Sequence, residues 1–244
     1  MMNTMLNTMR YRWNTLTRNQ QIVIGVVGVL LLIGLFTSGR FTPARLLGVA
    51  AIIFIAFPVH EFAHAAMAIY LGDNTPKWQG RYTLNPMAHI DVVGAILVLL
   101  TNFGWAKPVQ WNPSNTRTDT RTATILVAAA GPVSNLLMAM VAMVVVQFVP
   151  YGFVYSFLNT FIFINVALFV FNLIPIPPLD GSHILFAVTN VGYQVRNVLM
   201  QYGSLFLLAI IFLGGSILGL LIQGVITVLS LPIWALSALV GLLF

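Results

Sequence analysis

The segment Phe57-Pro58-Val59-His60-Glu61-Phe62-Ala63-His64 lies inside the apolar run 46–71. Glu61 is the only glutamate in the 244-residue chain. A charged side chain in hydrocarbon costs about 2.5–3.5 kcal/mol on insertion scales. Three ionisable side chains this close together in an apolar run therefore indicate a chemical site within a membrane rather than a solvated helix face.

The composition is that of a polytopic membrane protein. Hydrophobic residues make up 59% of the chain and charged residues 7%, with a mean hydropathy of +0.94, whereas soluble domains have about 25% charged residues. The net charge is +6, but the eleven lysines and arginines are spread along loops and do not form the patches expected of a nucleic-acid binder. The absence of cysteine excludes thiolate metal sites and disulfides.

Apolar runs of about 20 residues predict six membrane spans, the first of them uncleaved. They are 20–37, 46–71, 123–149, 153–175, 203–223 and 225–244, with a weakly marked boundary between the last two. Between spans two and three, Val92–Leu100 is too short to cross and is predicted to be re-entrant or interfacial. Lys77–Leu84 is predicted to be a short strand or an ordinary loop. We expect an all-α membrane protein, a polytopic bundle of about six transmembrane helices with a membrane-associated β element and a re-entrant segment.

The basic residues predict the orientation of the spans, because cytoplasmic loops carry an excess of lysine and arginine. With the N-terminus in the cytoplasm, nine of the eleven basic residues lie on the cytoplasmic side. These nine are Arg10, Arg12, Arg18, Lys77, Arg81, Lys107, Arg117, Arg121 and Arg196, and the outer two are Arg40 and Arg45. The segment 72–122 is therefore expected on the cytoplasmic side.

The spacing of His60 and His64 predicts a metal site. Residues four apart on a helix project from one face, so the two imidazoles are placed to bind one zinc ion. Glu61 follows the first histidine directly and is placed to take a proton from water at such an ion. The pattern is short and also occurs on soluble helices, but inside a span a surface role for these residues is disfavoured.

A catalytic zinc has three protein ligands, so the third must come from elsewhere in the chain. The candidates are Asp73, Asp91, Asp119, Asp180, His89 and His183. Asp180 stands out because it ends the run Asn172-Leu173-Ile174-Pro175-Ile176-Pro177-Pro178-Leu179-Asp180-Gly181, whose prolines cannot continue a helix. We expect an extended, stiff segment lining a cavity at membrane depth. Taken alone, the end of this run is equally typical of a turn with an Asx contact.

The two motifs together resemble the site-2 protease family of intramembrane zinc metalloproteases, in its compact type without a PDZ domain. Three further segments are similar to family motifs: Gly131-Pro132-Val133-Ser134-Asn135, Leu84-Asn85-Pro86-Met87-Ala88-His89-Ile90-Asp91 and Gly104-Trp105-Ala106-Lys107-Pro108-Val109. The resemblance covers about residues 46–190. It implies one Zn2+ per chain held by His60, His64 and Asp180, and Glu61 as the catalytic acid and base.

Four other residues enter the predicted site. The resemblance implies that Asn135 contacts the substrate strand or the developing oxyanion, although an amide in a span is also typical of helix packing. His89 and Asp91 are interpreted as residues that support the ligands or cap the re-entrant segment. His183 is interpreted as a supporting or structural residue near Asp180.

The predicted organisation follows from these assignments. Residues 1–45 form an N-terminal tail and first span, 46–190 a catalytic core with the zinc site, and 191–244 the C-terminal spans. We expect a multi-pass protein of a prokaryotic cell membrane whose active site opens to the cytoplasm. Its partners would be the lipid bilayer and a transmembrane protein or peptide substrate.

Three alternative functions are considered. A metal-ion transporter could use the same side chains as a permeation site, but no internal repeat is visible. A prenyl-protein-processing metalloprotease would need a second glutamate as third ligand, and the chain has none. A non-catalytic homologue that binds membrane helices is disfavoured by the intact motif.

Overall fold

The computed structural model describes residues 43–101 and 104–241, and the predicted span 20–37 lies outside them. Within these ranges the secondary structure is entirely helical. The α-helices are α1 (Pro43–Ala51), α2 (Phe57–Tyr70), α3 (Thr75–Trp78), α4 (Val92–Thr101), α5 (Thr120–Val146), α6 (Phe153–Asn172), α7 (Asp180–Val188), α8 (Tyr193–Leu213) and α9 (Gly215–Gly241). The prediction of an all-α protein is confirmed for the described part of the chain.

Four of the described helical segments are long and apolar enough to cross a membrane: Leu46–Tyr70, Thr120–Val146, Phe153–Asn172 and Gly215–Ile233. Many large apolar side chains on their outer faces are exposed, including Phe54, Leu137 and Leu220. Such faces are stable against lipid rather than water. The chain is an integral membrane protein.

The first of these spans contains a π-helical turn, Ile52–Ala56, between α1 and α2. The N–H of Phe57 donates to the carbonyl of Ile52, five residues earlier. Pro58 follows at once and has no N–H to give to the preceding turn. The wider turn therefore lies where proline already interrupts the ordinary helical bonding, and α2 begins beyond it as a regular helix carrying His60 and His64.

Helix α5 is the centre of the bundle and packs against α6, α2 and α7. A buried apolar cluster joins it to α6 and α9 through residues such as Ala139, Val166 and Ile222. A second cluster packs the span Leu46–Tyr70 against α4 and α6, with Ile52, Val98 and Ile164 at its centre. These two clusters set the position of α5 relative to the histidines of α2.

The prediction of a strand at Lys77–Leu84 is wrong. Thr75–Trp78 forms one helical turn, and the residues after it are turns and bends. The turn begins where the Asp73 carboxylate accepts the N–H of Thr75. It ends near Gly80, whose φ of 67° lies in the left-handed region that glycine favours. These local bonds prevent the extended conformation that the side chains alone would favour.

The apolar stretch Val92–Leu100 is helical, as α4, with ten residues from Val92 to Thr101. The Asp91 carboxylate caps this helix by accepting the N–H of Gly94 at 2.8 Å. Ten residues rise only about 15 Å, which is too short for a crossing. Its re-entrant position in the bilayer stays a prediction.

The predicted division of the last two spans, 203–223 and 225–244, is wrong. Helix α8 begins at Tyr193, and the break between α8 and α9 lies at Gly214 rather than near residue 224. The N–H of Gly214 closes α8 by donating to the carbonyl of Ile210. A break this short leaves the apolar run continuous, so hydropathy does not mark it.

The proline-rich segment between α6 and α7 ends α6 at Asn172 as predicted, but it is not extended. It forms consecutive turns, in which the N–H of Ile176 donates to Ile174 and the N–H of Leu179 donates to Ile176. A β-carbon at Gly181 would overlap the carbonyl of Leu173. The turns and this close approach reverse the chain within seven residues and place Asp180 at the start of α7.

Candidate metal centre

The structure brings His60, His64 and Asp180 together. One ligand atom from each lies within 4.8 Å of the others. Asp180 Oδ2 is 3.3 Å from His60 Nε2 and 3.4 Å from His64 Nε2, and the two Nε2 atoms are 3.1 Å apart. Both histidines are buried, with 7% and 8% of their surface exposed. Two imidazoles and one carboxylate form a donor set that suits a catalytic zinc.

Hydrogen bonding on the far side of each ring determines which nitrogen faces the centre. His64 Nδ1 lies 2.6 Å from the carbonyl oxygen of Val127. A carbonyl only accepts, so Nδ1 carries the proton and Nε2 of the neutral ring presents its lone pair. His60 Nδ1 likewise lies 2.5 Å from the side-chain oxygen of Asn135.

The centre therefore consists of three acceptors that face one another. Asp180 Oδ2 is buried and has no hydrogen-bond donor. Three lone-pair donors at this separation repel one another unless a cation lies among them. The residues thus fit a bound divalent metal ion.

Gly131 on α5 forms the wall of the centre. A β-carbon at this position would lie 2.6 Å from His60 Nε2 and closer still to His64 Nε2. No real side chain tolerates such contacts, so only glycine lets α5 approach the two rings this closely. The glycine of the Gly-Pro motif is therefore required for steric reasons at this centre.

Glu61 lies beside the histidines and is itself buried, with 7% of its surface exposed. Its Oε2 accepts the N–H of Val109 at 2.9 Å. Val109 belongs to the irregular segment that follows residue 104. This segment therefore holds the carboxylate of Glu61 in place from outside helix α2.

Asp73 anchors the segment that contacts Glu61. Its side chain is fully buried and accepts the N–H of Asn112 at 2.6 Å, the side-chain amide of Asn115 at 3.0 Å, and both the N–H and hydroxyl of Thr75. Burial acts to raise the pKa of Asp73, but these donors outweigh it and lower the pKa below its ordinary value. One carboxylate thus joins the end of α2 to the loop that carries Val109.

We expect Asp73→Asn to destabilise the protein by about 2 kcal/mol, or roughly 4–8 °C in Tm, because an amide nitrogen would face one of the N–H donors. Since the folded pKa is lowered, this stabilisation is complete above about pH 4 and is lost as the pH falls below that value. The measurement is thermal unfolding in detergent across this pH range. The gap between wild type and variant should narrow at acid pH, and a gap independent of pH would contradict the assignment.

The structure places the other predicted site residues outside the three-residue group. Asn135 is fully buried, with its oxygen toward His60 and its amide nitrogen toward Asn165. His89 is buried and donates from Nε2 to the carbonyl of Thr83, and Asp91 caps α4. His183 is exposed on α7. A substrate or oxyanion contact of Asn135 stays a prediction.

Two contacts of the site were not anticipated from the sequence. Asn165 could have been predicted, because a polar amide in the middle of an apolar span indicates a buried hydrogen-bonding role. The N–H of Val109 has no signal in the sequence, because every residue except proline offers the same group.

Two histidines and a glutamate on the span Leu46–Tyr70, with a carboxylate brought to them from α7, define a class of membrane metalloprotein. Peptidase family M50 matches residues 147–210, a stretch that contains Asp180. The "Putative zinc metalloprotease YwhC" of Bacillus subtilis (strain 168) is 40% identical over 156 residues, which cover 59% of this chain and 70% of that protein. No solved structure matches the chain.

The chain belongs to peptidase family M50, the site-2 protease family. It is accordingly a metalloprotease of the membrane. The family predicted from the two motifs is confirmed, and zinc is the metal that the family suggests for the centre.

Proposed function

We propose that this protein is an intramembrane zinc metalloprotease that hydrolyses peptide bonds within or near transmembrane segments of other membrane proteins. The observation that carries the proposal is the convergence of His60, His64 and Asp180 beside Glu61, with the two histidines and the glutamate buried on a span rather than on a solvated domain. His60, His64 and Asp180 would hold one zinc ion. When bound, zinc supplies Lewis-acid polarisation of a carbonyl and of water at neutral pH.

The chain's own groups account for the movement of protons in this proposal. Glu61 accepts a proton from the attacking water and afterwards gives it to the leaving amine nitrogen. The N–H of Val109 donates to Oε2, which leaves Oε1 available to accept that proton. Burial of the site limits water, so the carboxylate acts in a surrounding of low dielectric constant.

The proposed substrate is a transmembrane segment, because the reactive groups lie within a span. Its backbone carbonyls are already bonded inside a helix, so the substrate must unwind locally before attack. His64 lies six residues before Tyr70, the last residue of α2, which corresponds to about 10 Å along the helix axis. We therefore propose that the substrate helix is cleaved near one of its ends, the end at the same membrane surface as residues 72–119.

The test of the proposal uses purified protein in bilayers and a synthetic transmembrane peptide. Removal of zinc by a chelator should reduce cleavage to background, and added zinc should restore it. The same chelator saturated with zinc beforehand is the control and should have no effect. Cleavage that survives complete loss of zinc would contradict the proposal.

We also propose that residues 72–119 lie on the cytoplasmic side of a bacterial cell membrane. The basic residues in this segment support the cytoplasmic side, and the similarity to a Bacillus protein supports a bacterial membrane. Because the chain has no cysteine, single cysteines report topology without background. The exposed positions Gln79 and Tyr151 lie on opposite sides of the span formed by α5. We expect an impermeant maleimide to label Gln79→Cys only from the cytoplasmic side and Tyr151→Cys only from outside. The reverse pattern would overturn the orientation.

A further inference from the structure

Two buried asparagines on neighbouring helices form a chain of hydrogen bonds that ends at the metal centre. Asn165 on α6 donates from Nδ2 to the carbonyl of Phe161 at 2.9 Å. Asn135 on α5 donates to Asn165 Oδ1 at 3.0 Å, and its own oxygen lies 2.5 Å from His60 Nδ1. Both amides are fully buried.

The donors and acceptors in this row of hydrogen bonds can be assigned in only one way. The carbonyl of Phe161 can only accept, so Asn165 must turn its nitrogen toward it and its oxygen toward Asn135. Asn135 must then present its nitrogen to Asn165 and its oxygen to His60. His60 Nδ1 is consequently the donor, and the lone pair lies on Nε2, the atom that faces Asp180.

We propose that Asn165 is a positioning residue for the metal centre, which acts through Asn135 to hold His60 in the Nδ1–H tautomer. The inference rests on the proposed function, since it concerns the residues that would hold zinc. Phe161, Asn165 and Asn135 together form an amide relay. Partners of this kind fix the tautomer and raise the basicity of a ligating histidine.

Comparison with the other histidine explains why the relay is needed. His64 reaches a backbone carbonyl directly, that of Val127 on α5. The ring of His60 instead meets the side chain of Asn135, an amide that could offer either its oxygen or its nitrogen. The carbonyl of Phe161 on the next helix removes this ambiguity, so both ligands ultimately depend on a backbone acceptor.

Helix α6 itself contains the matched control. Asn159 makes the same type of bond as Asn165, from Nδ2 to the carbonyl four residues earlier, at 2.8 Å. Asn159 is exposed and satisfies only itself within its helix. Substitution of Asn159 by leucine thus repeats the local chemistry of Asn165→Leu without touching the relay.

The first measurement is zinc affinity of the full chain by competition with a chromophoric chelator. Asn135→Leu should lower the affinity by about 10–100-fold, as expected for the partner of a ligating histidine. Asn165→Leu should lower it by less than Asn135→Leu, about 10-fold at most, which is the lower end of that range. Because both act through His60, the double variant should be no weaker than Asn135→Leu alone. Asn159→Leu should match wild type.

The second measurement reads the tautomer directly in the zinc-free protein. The chain has four histidines, so the 15N spectrum of the histidine-labelled protein in bilayers can be assigned by comparison with His60→Gln. At a pH at which the spectrum itself shows a neutral His60 ring, wild type and Asn159→Leu should show the His60 proton on Nδ1. Asn165→Leu should show a mixture of the two tautomers.

The two measurements separate failure of the relay from failure of the proposed function. Unchanged His60 tautomers in Asn165→Leu, or losses of affinity that add in the double variant, would overturn the relay even if the wild type cleaves peptides. A wild type that neither binds zinc nor cleaves would overturn the proposed function. The tautomer of the zinc-free protein still decides the relay in that case.

Discussion

Glu61→Gln should keep its zinc and lose cleavage. Glutamine has the size and shape of glutamate, and its oxygen can still accept the N–H of Val109, so the site should remain assembled. It cannot accept a proton at neutral pH. Proton transfer by a positioned side chain contributes about 10²–10⁴-fold to rate, and we expect kcat to fall within this range or beyond it.

The measurement pairs zinc content with single-turnover cleavage of a transmembrane peptide on the same preparation. Asp180→Ala is the complementary variant, because it removes a proposed ligand and should lose zinc and cleavage together. A metal-ion transporter would behave differently, since Glu61→Gln would alter zinc flux into liposomes with no peptide product in any variant. Full cleavage by Glu61→Gln would refute the proposed role of this residue.

Gly131→Ala should abolish high-affinity zinc binding although it adds only one methyl group. The new carbon would occupy space held by the Nε2 atoms of His60 and His64. Both rings are tied from behind through their Nδ1 atoms, so neither can move aside without breaking a buried hydrogen bond. We expect the affinity to fall at least about 100-fold, at or beyond the limit seen when only a supporting residue is lost.

The control for this variant is Gly219→Ala on α9. Gly219 is also helical, but a β-carbon there meets no atom within 4 Å. Alanine should be neutral or slightly stabilising at that position, since it has the higher helix propensity. Zinc titration and thermal unfolding of the two variants separate a steric effect at the centre from a general effect of glycine replacement. Equal zinc affinity in both would show that α5 yields at Gly131.

The sequence was sufficient to predict the residues of the site whose side chains are metal ligands or proton acceptors. His60, Glu61 and His64 share one helix, so their spacing alone places them side by side. Asp180 is 120 residues away from His60, and only its proline-rich context and the family resemblance singled it out. The structure brings Asp180 to the histidines through consecutive turns that reverse the chain. The prolines predicted where α6 ends, but they predicted an extended segment rather than turns.

What could not be predicted depends on distances between separate helices. The role of Gly131 follows from how closely α5 approaches α2, which no local pattern encodes. Asn165 matters because it meets Asn135 across two helices, and the contact of Val109 is made by a backbone group. The break at Gly214 was missed for a different reason, because a turn of one or two residues hardly alters an apolar run.

The π-helical turn at Ile52–Ala56 separates two requirements that a single regular helix would have to meet together. Each residue of an α-helix advances about 100° around the axis, so the wider turn changes the rotational phase between α1 and α2. The rotational phase of α1 can satisfy the apolar contacts of Val49, while that of α2 aims its histidines at α5. Deleting one residue from this turn would leave every side chain of the centre in the sequence and yet rotate His60, Glu61 and His64 away from Asp180.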